Sequence, residues 1–215
     1  MLGEAKRDRR AERREATKSE ILDAAWSIAR DEGLAALSLR DVARQVGMQA
    51  PSLYGYFDSK MAIYDAMYAQ GCEQFAAASD RHWDELTGDA RADLGVIFRT
   101  MVEFCTADIA RYQLMFQRTI PGFEPSAASY ALSVEQLERL AAHLATCGLT
   151  EPSDIDLFTA LGTGLTDQQI SNDPGGDRWI RLIDDAVDML VDHIEKRRST
   201  RSGRSNGSRS RKKAG

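Results

Sequence analysis

The 215-residue chain has no apolar run approaching the length that spans a bilayer. Its first twenty residues are too charged for a signal peptide. A soluble, cytoplasmic protein without a membrane partner is the expectation. Cysteine is scarce: Cys72, Cys105 and Cys147 are odd in number, far apart and in no CxxC arrangement. Core thiols in a reducing compartment are the ordinary reading and a redox sensor the alternative. His82, His143 and His193 stand apart, with no HExxH or other metal-ligand spacing. There is no GxSxG, no P-loop and no dinucleotide fingerprint. Gly162-Thr163-Gly164 sits inside a helical stripe with no strand before it. These absences argue against an enzyme and leave no catalytic residue, metal site or cofactor to expect. β-alternation of useful length and internal repeats are also missing, so the fold class expected is all-α.

Charge is present in quantity but unevenly spread. The net charge is −5, yet residues 1–20 carry +2, residues 21–60 carry −1, residues 61–195 carry −15 and residues 196–215 carry +9. An acidic body repels nucleic acid, so any contact with DNA has to be confined to the basic arm and its neighbourhood. Arg7, Arg9, Arg10, Arg13 and Arg14 form that arm. It either extends the first helix or lies along phosphates. From Ser199 to Gly215 the chain is mostly Arg, Ser, Gly and Lys with no large apolar residue to bury, a composition that predicts disorder.

The informative stretch runs from Thr17 to Tyr64. Ile21, Ala24, Ala25 and Ile28 recur at the spacing of one helical face. Thr17 with Glu20 three residues later predicts a capping box at its start, and Gly33 a C-terminal cap. Ser38 is the next N-cap candidate, with Asp41 placed to favour that helix N-terminus. Leu39, Val42, Ala43 and Val46 face inward. Gly47 then breaks the helix with the positive φ a tight turn needs. A third helix starts near Ala50-Pro51 and buries Leu53 and Phe57, leaving Gln49, Ser52, Gly55 and Tyr56 outward. A turn this short between the second and third helices predicts a helix-turn-helix, the unit that lays a short helix in the major groove of DNA.

On these residues the chain resembles the TetR family of transcriptional regulators. The matching segments are the T…I..AA start, Gly33, SLRDVARQVG, and APSLYGYFDSK running into Met61-Ala62-Ile63. Leu53, Tyr54, Tyr56, Phe57 and Lys60 fit the family pattern. Ala29 stands where a large aromatic often sits, and Met48 replaces a common Val. The resemblance covers about the first third of the chain. It implies an N-terminal three-helix DNA-binding domain followed by a helical ligand-binding and dimerisation domain. It implies that Arg40, Gln49, Ser52 and Gly55, with Ala50 and Pro51, approach base edges, Arg40 having a phosphate contact as its alternative. It further implies that Ser38, Tyr54, Tyr56 and Lys60 hold the phosphate backbone.

The domains expected are a basic flexible arm at 1–16, the helix-turn-helix domain at 17–63, a helical body at 64–198 and a disordered tail at 199–215. Within the body, helices are expected at 59–86, 89–107, 108–118, 126–147, 153–171 and 177–198, separated by Gly- and Pro-marked loops. Apolar and aromatic residues concentrate in its middle. Phe98, Met101, Phe104, Cys105, Tyr112, Met115 and Phe116 are the candidate ligand-binding residues, each with ordinary core as its alternative. Arg99, Arg111 and Arg118 either meet a ligand or form surface ion pairs. Phe158, Leu161, Leu165, Trp179, Leu182, Ile183, Ala186 and Leu190 lie on the last two helices, where the resemblance implies a dimer interface. One short recognition helix also covers too few base pairs for useful specificity, which independently favours a pair. The function expected is a ligand-responsive regulator, most simply a homodimeric repressor released from a palindromic double-stranded DNA operator by a small-molecule effector. The competing reading is a constitutive or architectural DNA-binding protein without a ligand.

Overall fold

The computed structural model describes residues 2–83 and 85–211, with side chains described for 9–83, 85–197, 199 and 200. Helices make up the fold in order: α1 (Leu2–Glu32), a 3-10 turn (Leu34–Ala36), α2 (Leu39–Gln45), α3 (Ala50–Leu53), α4 (Lys60–Trp83), α5 (Ala90–Ala107), α6 (Ile109–Phe116), α7 (Ala127–Thr146), α8 (Pro152–Asn172), a second 3-10 turn (Ile180–Leu182) and α9 (Ile183–Arg211). No strand occurs among the described residues. The expected all-α class holds, and the first five helical segments of the body hold to within a few residues; the last, expected at 177–198, is α9 at Ile183–Arg211.

The two ends are more helical than their composition suggests. Thr17 does not start a helix, because α1 is continuous through it and its hydroxyl donates to the Arg13 carbonyl at 3.0 Å. The Ala-, Arg- and Glu-rich residues before it are strong helix formers and need no cap at Thr17. Residues 2–16 of the expected arm are thus the first half of α1, the helical one of its two alternatives. At the other end α9 runs to Arg211, past the expected boundary at 199, while residues 212–215 of that tail lie outside the described residues.

Two compact units emerge, and neither is a single stretch of chain. The first takes residues up to 76 together with 107–135; the second takes 77–106 and 136 onward. The boundary expected at residue 64 is not where compactness divides, because α4 and α7 are long helices that each serve both units. In the first unit Ile21, Ala25, Leu37, Val42, Leu53, Phe57, Ile63, Tyr64 and Met67 form one core, and Ala110 and Leu114 of α6 belong to it. The helix-turn-helix therefore shares its core with α6. Arg30 of α1 adds a bond to that helix, its guanidinium reaching Asp108, the N-cap of α6, at 2.8 Å.

The second unit has a buried core of its own. Leu94, Phe98, Val102, Leu144, Leu149, Phe158, Ile183 and Leu190 are all but inaccessible. Phe98 and Phe158 meet with ring centroids 4.2 Å apart. A Cβ on Gly162 would stand only 3.0 Å from the Met101 sulfur, so glycine is what lets α8 come this close to α5. Carboxylates on α9 line up with arginines on α5: Arg91 with Asp188 and Asp192, and Arg99 with Asp184. Asp154 of α8 is nearly buried, and the Arg197 guanidinium holds its carboxyl below the usual carboxylate range. The start of α9 comes later than the apolar stripe suggests. Gln169 accepts from the Trp179 and Ile180 amides at 2.9 and 3.3 Å, which fixes a 3-10 turn there and leaves Trp179 and Leu182 ahead of the helix.

Candidate nucleic-acid interface and cavity

The turn at the reading end is built by backbone bonds alone. The Met48 amide reaches the Ala43 carbonyl at 2.8 Å and the Gly47 amide the Arg44 carbonyl at 3.2 Å. Gly47 has φ +68°, so a side chain there would be strained. Ser38 caps α2, its oxygen accepting from the Asp41 amide at 3.2 Å while its hydroxyl donates to the Asp41 carboxylate. Gly33 has φ +88° and ends α1, as its position in the sequence predicts.

α3 is short because it works as one turn pinned from beneath. Leu53 is inaccessible and Phe57 only 8% exposed, so the helix is fastened to the core through that pair. Its outer side is open: Gln49, Pro51, Ser52, Tyr54 and Gly55 are exposed, Ala50 and Tyr56 half-buried. Arg40 is exposed in the first turn of α2, on the same compact unit. Ser38 is partly covered and spends its oxygen on the cap. The Lys60 ammonium lies 3.3 Å from the Ala35 carbonyl and 5.4 Å from the Tyr64 ring centre, at the first residue of α4. The candidate DNA-contacting residues are thus gathered on one unit, with none deeply buried.

The sequence did not reveal one partner of this end. Arg14, 41 residues before Gly55, donates to the Gly55 carbonyl at 2.7 Å and lies over the Tyr56 ring at 5.1 Å. The Gly55 carbonyl lies just past the C-terminal end of α3, where a guanidinium is favourably placed. The signal was present only as an arginine in the register of the first helix's inward face.

The candidate ligand residues do not stay together. Phe98, Met101, Phe104 and Cys105 are buried in the second unit, where Phe98 packs against Phe158. Tyr112, Met115 and Phe116 belong to the first unit. There a cavity of about 400 Å³ is lined by Tyr68, Leu114, Met115, Phe116, Gln117, Arg118, Ile120, Phe123, Glu124, Pro125 and Tyr130. Tyr112 stands behind that wall, stacked on Phe116 at 5.7 Å. Of the three candidate arginines, Arg118 lines the cavity, Arg111 bonds Gln74 and Arg99 pairs with Asp184. Helical periodicity shows which residues turn inward but not towards which neighbour, so α5 and α6 could not be separated from sequence. Loop residues 117–125 were invisible for the same reason.

Polar chemistry touches the cavity in few places. Burial raises the Tyr68 hydroxyl, which hydrogen-bonds Ser133, above the usual tyrosine range. Cys72, one turn along α4, is pushed up to about 11 by burial. Burial also raises Cys147. Thiols held protonated in this way are weak nucleophiles. The loop before α7 is tied down by Asp65, which accepts from the Ser126 amide at 2.7 Å and from the Ser126 and Ser129 hydroxyls at 2.9 Å each.

The candidate dimer residues divide in two. Phe158, Ile183, Ala186 and Leu190 are buried in the chain's own second core, and Leu161, Leu165, Trp179 and Leu182 are half-buried. The apolar side chains these helices leave most open are Leu157 and Met189, at 38% and 68% exposure. Among the described residues no cluster of three His, Cys, Asp or Glu is placed to hold a metal, and no helix is long and apolar enough to cross a membrane.

Comparison with known proteins agrees with this architecture. Residues 21–67 match the family of bacterial regulatory proteins of the tetR type. HTH-type transcriptional regulators of Mycobacterium bovis and Mycobacterium tuberculosis are 27% identical over 116 residues, 54% of this chain and 50% of theirs. The chain thus spans about half the length of the curated relatives it matches. Among solved structures, the regulator FadR of Bacillus subtilis, determined with stearoyl-CoA, superposes with TM-score 0.66 at 16% identity, covering 80% of this chain and 97% of that one. The TetR-family regulator PfmR of Thermus thermophilus superposes with TM-score 0.60 at 20% identity, covering 80% and 96%. At these identities the superpositions establish the fold.

Proposed function

The chain belongs to the TetR family of transcriptional regulators, and on that premise we propose that it is a ligand-responsive repressor acting as a homodimer on a palindromic operator. The observation that carries this reading is that one compact unit holds both an exposed recognition turn and a cavity. α6 connects the two, since Leu114 both lines the cavity and belongs to the core beneath α3. A molecule that moves α6 therefore loads the packing that sets the position of α3. Arg30 and Asp108 give α1 the same connection.

The cavity volume, about 400 Å³, is in the range of small-molecule sites. Its walls are Leu, Met, Ile, Phe and Tyr, with Arg118, Gln117 and Glu124 as the polar exceptions. This suits a compact, mainly apolar molecule carrying one or two polar groups. Gln49, Ala50, Pro51, Ser52 and Gly55 are the proposed base-facing positions, joined by Arg40; Tyr54, Tyr56, Ser38 and Lys60 are the proposed backbone anchors. Pairing through the open sides of α8 and α9, at Leu157 and Met189, presents two such turns.

The experiment is selection of duplexes from a random 30-base-pair pool by the full-length protein. The reading predicts enrichment of a two-fold-symmetric sequence with half-sites about 34–36 Å apart, one turn of DNA. It also predicts release on adding a compound that raises the protein's melting temperature. Enrichment with no release by any stabilising compound would favour constitutive binding; no enrichment would sink the proposal.

A further inference from the structure

α1 is longer than the three-helix core requires, and its charges are sorted. Ile21, Ala25 and Ile28 face the core. The same line, carried back along the helix, reads Lys18, Arg14 and Arg10, at i, i+4 and i+8 from Arg10. Glu12 and Asp23 take the opposite side. The stripe is thus apolar where it meets the core and basic where residues 9–16 run free of it, all of them exposed. Arg14 fixes where that basic side points, because its guanidinium is bonded to Gly55 at the end of α3. Arg10 lies one turn farther out, about 6 Å along the axis. It has no ion-pair partner among the described residues. Lys18 is paired with Glu15 and Arg14 with Gly55, so on this line Arg10 is the cation left to solvent among the described residues. The chain as a whole is acidic, and an exposed arginine beside the reading turn is complementary to the phosphate backbone flanking the groove.

We propose that residues 9–16 of α1, all exposed, form a second, helical DNA-contacting element, in which Arg10 binds a backbone phosphate and Arg14 is a positioning residue that holds the recognition turn in register with it. This rests on the DNA-binding reading above, and divides labour within it. Arg10 supplies sequence-independent affinity. Arg14 touches no base, yet governs how well α3 reads bases, because it fixes the Gly55 carbonyl and the Tyr56 ring.

The test measures binding of the full-length protein to a random-sequence 30-base-pair duplex and to the enriched duplex over a series of KCl concentrations. Arg10→Gln should lower the slope of log K against log salt by about 0.9 per protomer on both duplexes, leaving base preference unchanged. Glu12→Lys, which adds charge on the opposite side, should leave the slope as it is. Arg14→Gln should flatten the preference between the two duplexes, and Arg14→Lys should keep the salt slope but not restore the preference, lacking the planar fork. Circular dichroism should show unchanged helix content in each variant. An unchanged slope in Arg10→Gln, or an equal gain of slope in Glu12→Lys, overturns the contact. Equal weakening on both duplexes by Arg14→Gln, with preference intact, overturns the positioning role. If no duplex is enriched, the operator reading fails, while the slope on random duplex still decides the contact.

Discussion

In the first unit Phe116, Phe123 and Tyr130 stand around about 400 Å³ of open space, whereas in the second Phe98 and Phe158 close on each other at 4.2 Å and Gly162 lets Met101 in to contact. The bonds differ as well. In the first unit Arg14 on Gly55 and Asp65 on the loop before α7 tie down helix ends and loops, and the Arg30–Asp108 ion pair joins α1 to α6. In the second, ion pairs join α5 to α9 and, through Arg197, α8 to α9. On the proposed function, the first unit is the part that responds and the second the part that holds.

Substitutions should therefore divide in the same way. The largest effect belongs to the filled core. Phe158→Ala should cost about 3–5 kcal/mol in urea unfolding, against about 1 kcal/mol for Phe123→Ala, whose ring already faces open space. Equal costs would break the contrast. Arg197→Ala comes next, at about 1–3 kcal/mol near neutral pH, since it strands the Asp154 carboxylate. Because the folded-state pKa of Asp154 is depressed, that contribution is present above its ordinary value of 3.8 and is lost as pH falls through the lowered one. Melts of wild type and variant should converge at low pH; a gap that persists there would mean the arginine acts through packing.

Substitutions at the reading end should leave stability alone and move DNA binding. Arg40→Ala should weaken binding to the enriched duplex by about 1–3 kcal/mol and relax one position per half-site. Uniform weakening would make Arg40 a phosphate contact. Lys60→Ala should lower affinity for every sequence and reduce the salt slope by about one unit per site. Its ammonium also touches the Ala35 carbonyl, so a loss of melting temperature instead would mark it as a residue of the fold. The smallest effect is expected from deleting 199–215: unchanged melting and dimerisation, with weaker low-salt binding to random DNA. Loss of pairing on deletion would make that segment structural.

The regions also differed in how far the sequence disclosed them. The turn and cap at the reading end are bonds between neighbours, Ser38 to Asp41 and Met48 to Ala43, which spacing and residue type disclose, whereas Arg14 on Gly55 spans 41 residues and was not disclosed. The cavity is made of α4, α6, the 117–125 loop and α7, and nothing in the spacing of Tyr68, Phe123 and Tyr130 says that they meet. Met115 and Phe116 line it, but what marks them in the sequence is an apolar-rich segment, and Phe98, Met101, Phe104 and Cys105 share that mark although they are buried in the second unit. On α8 and α9 a broad stripe hid two sides: Phe158 and Leu190 are spent inside the chain, while Leu157 and Met189 remain outside.

The central claim is that occupancy of the first unit's cavity changes what α3 can do. It is tested most directly by the dissociation constant for the enriched duplex, measured with and without a compound whose binding perturbs Phe116 and Phe123 in the protein's NMR spectrum. The account predicts a fall in DNA affinity of roughly 5- to 150-fold, the usual range of coupling between two sites. The Phe123→Ala protein, with its altered wall, should show a smaller fall at the same compound concentration. A compound that demonstrably fills the cavity while the duplex stays bound with unchanged affinity would contradict it.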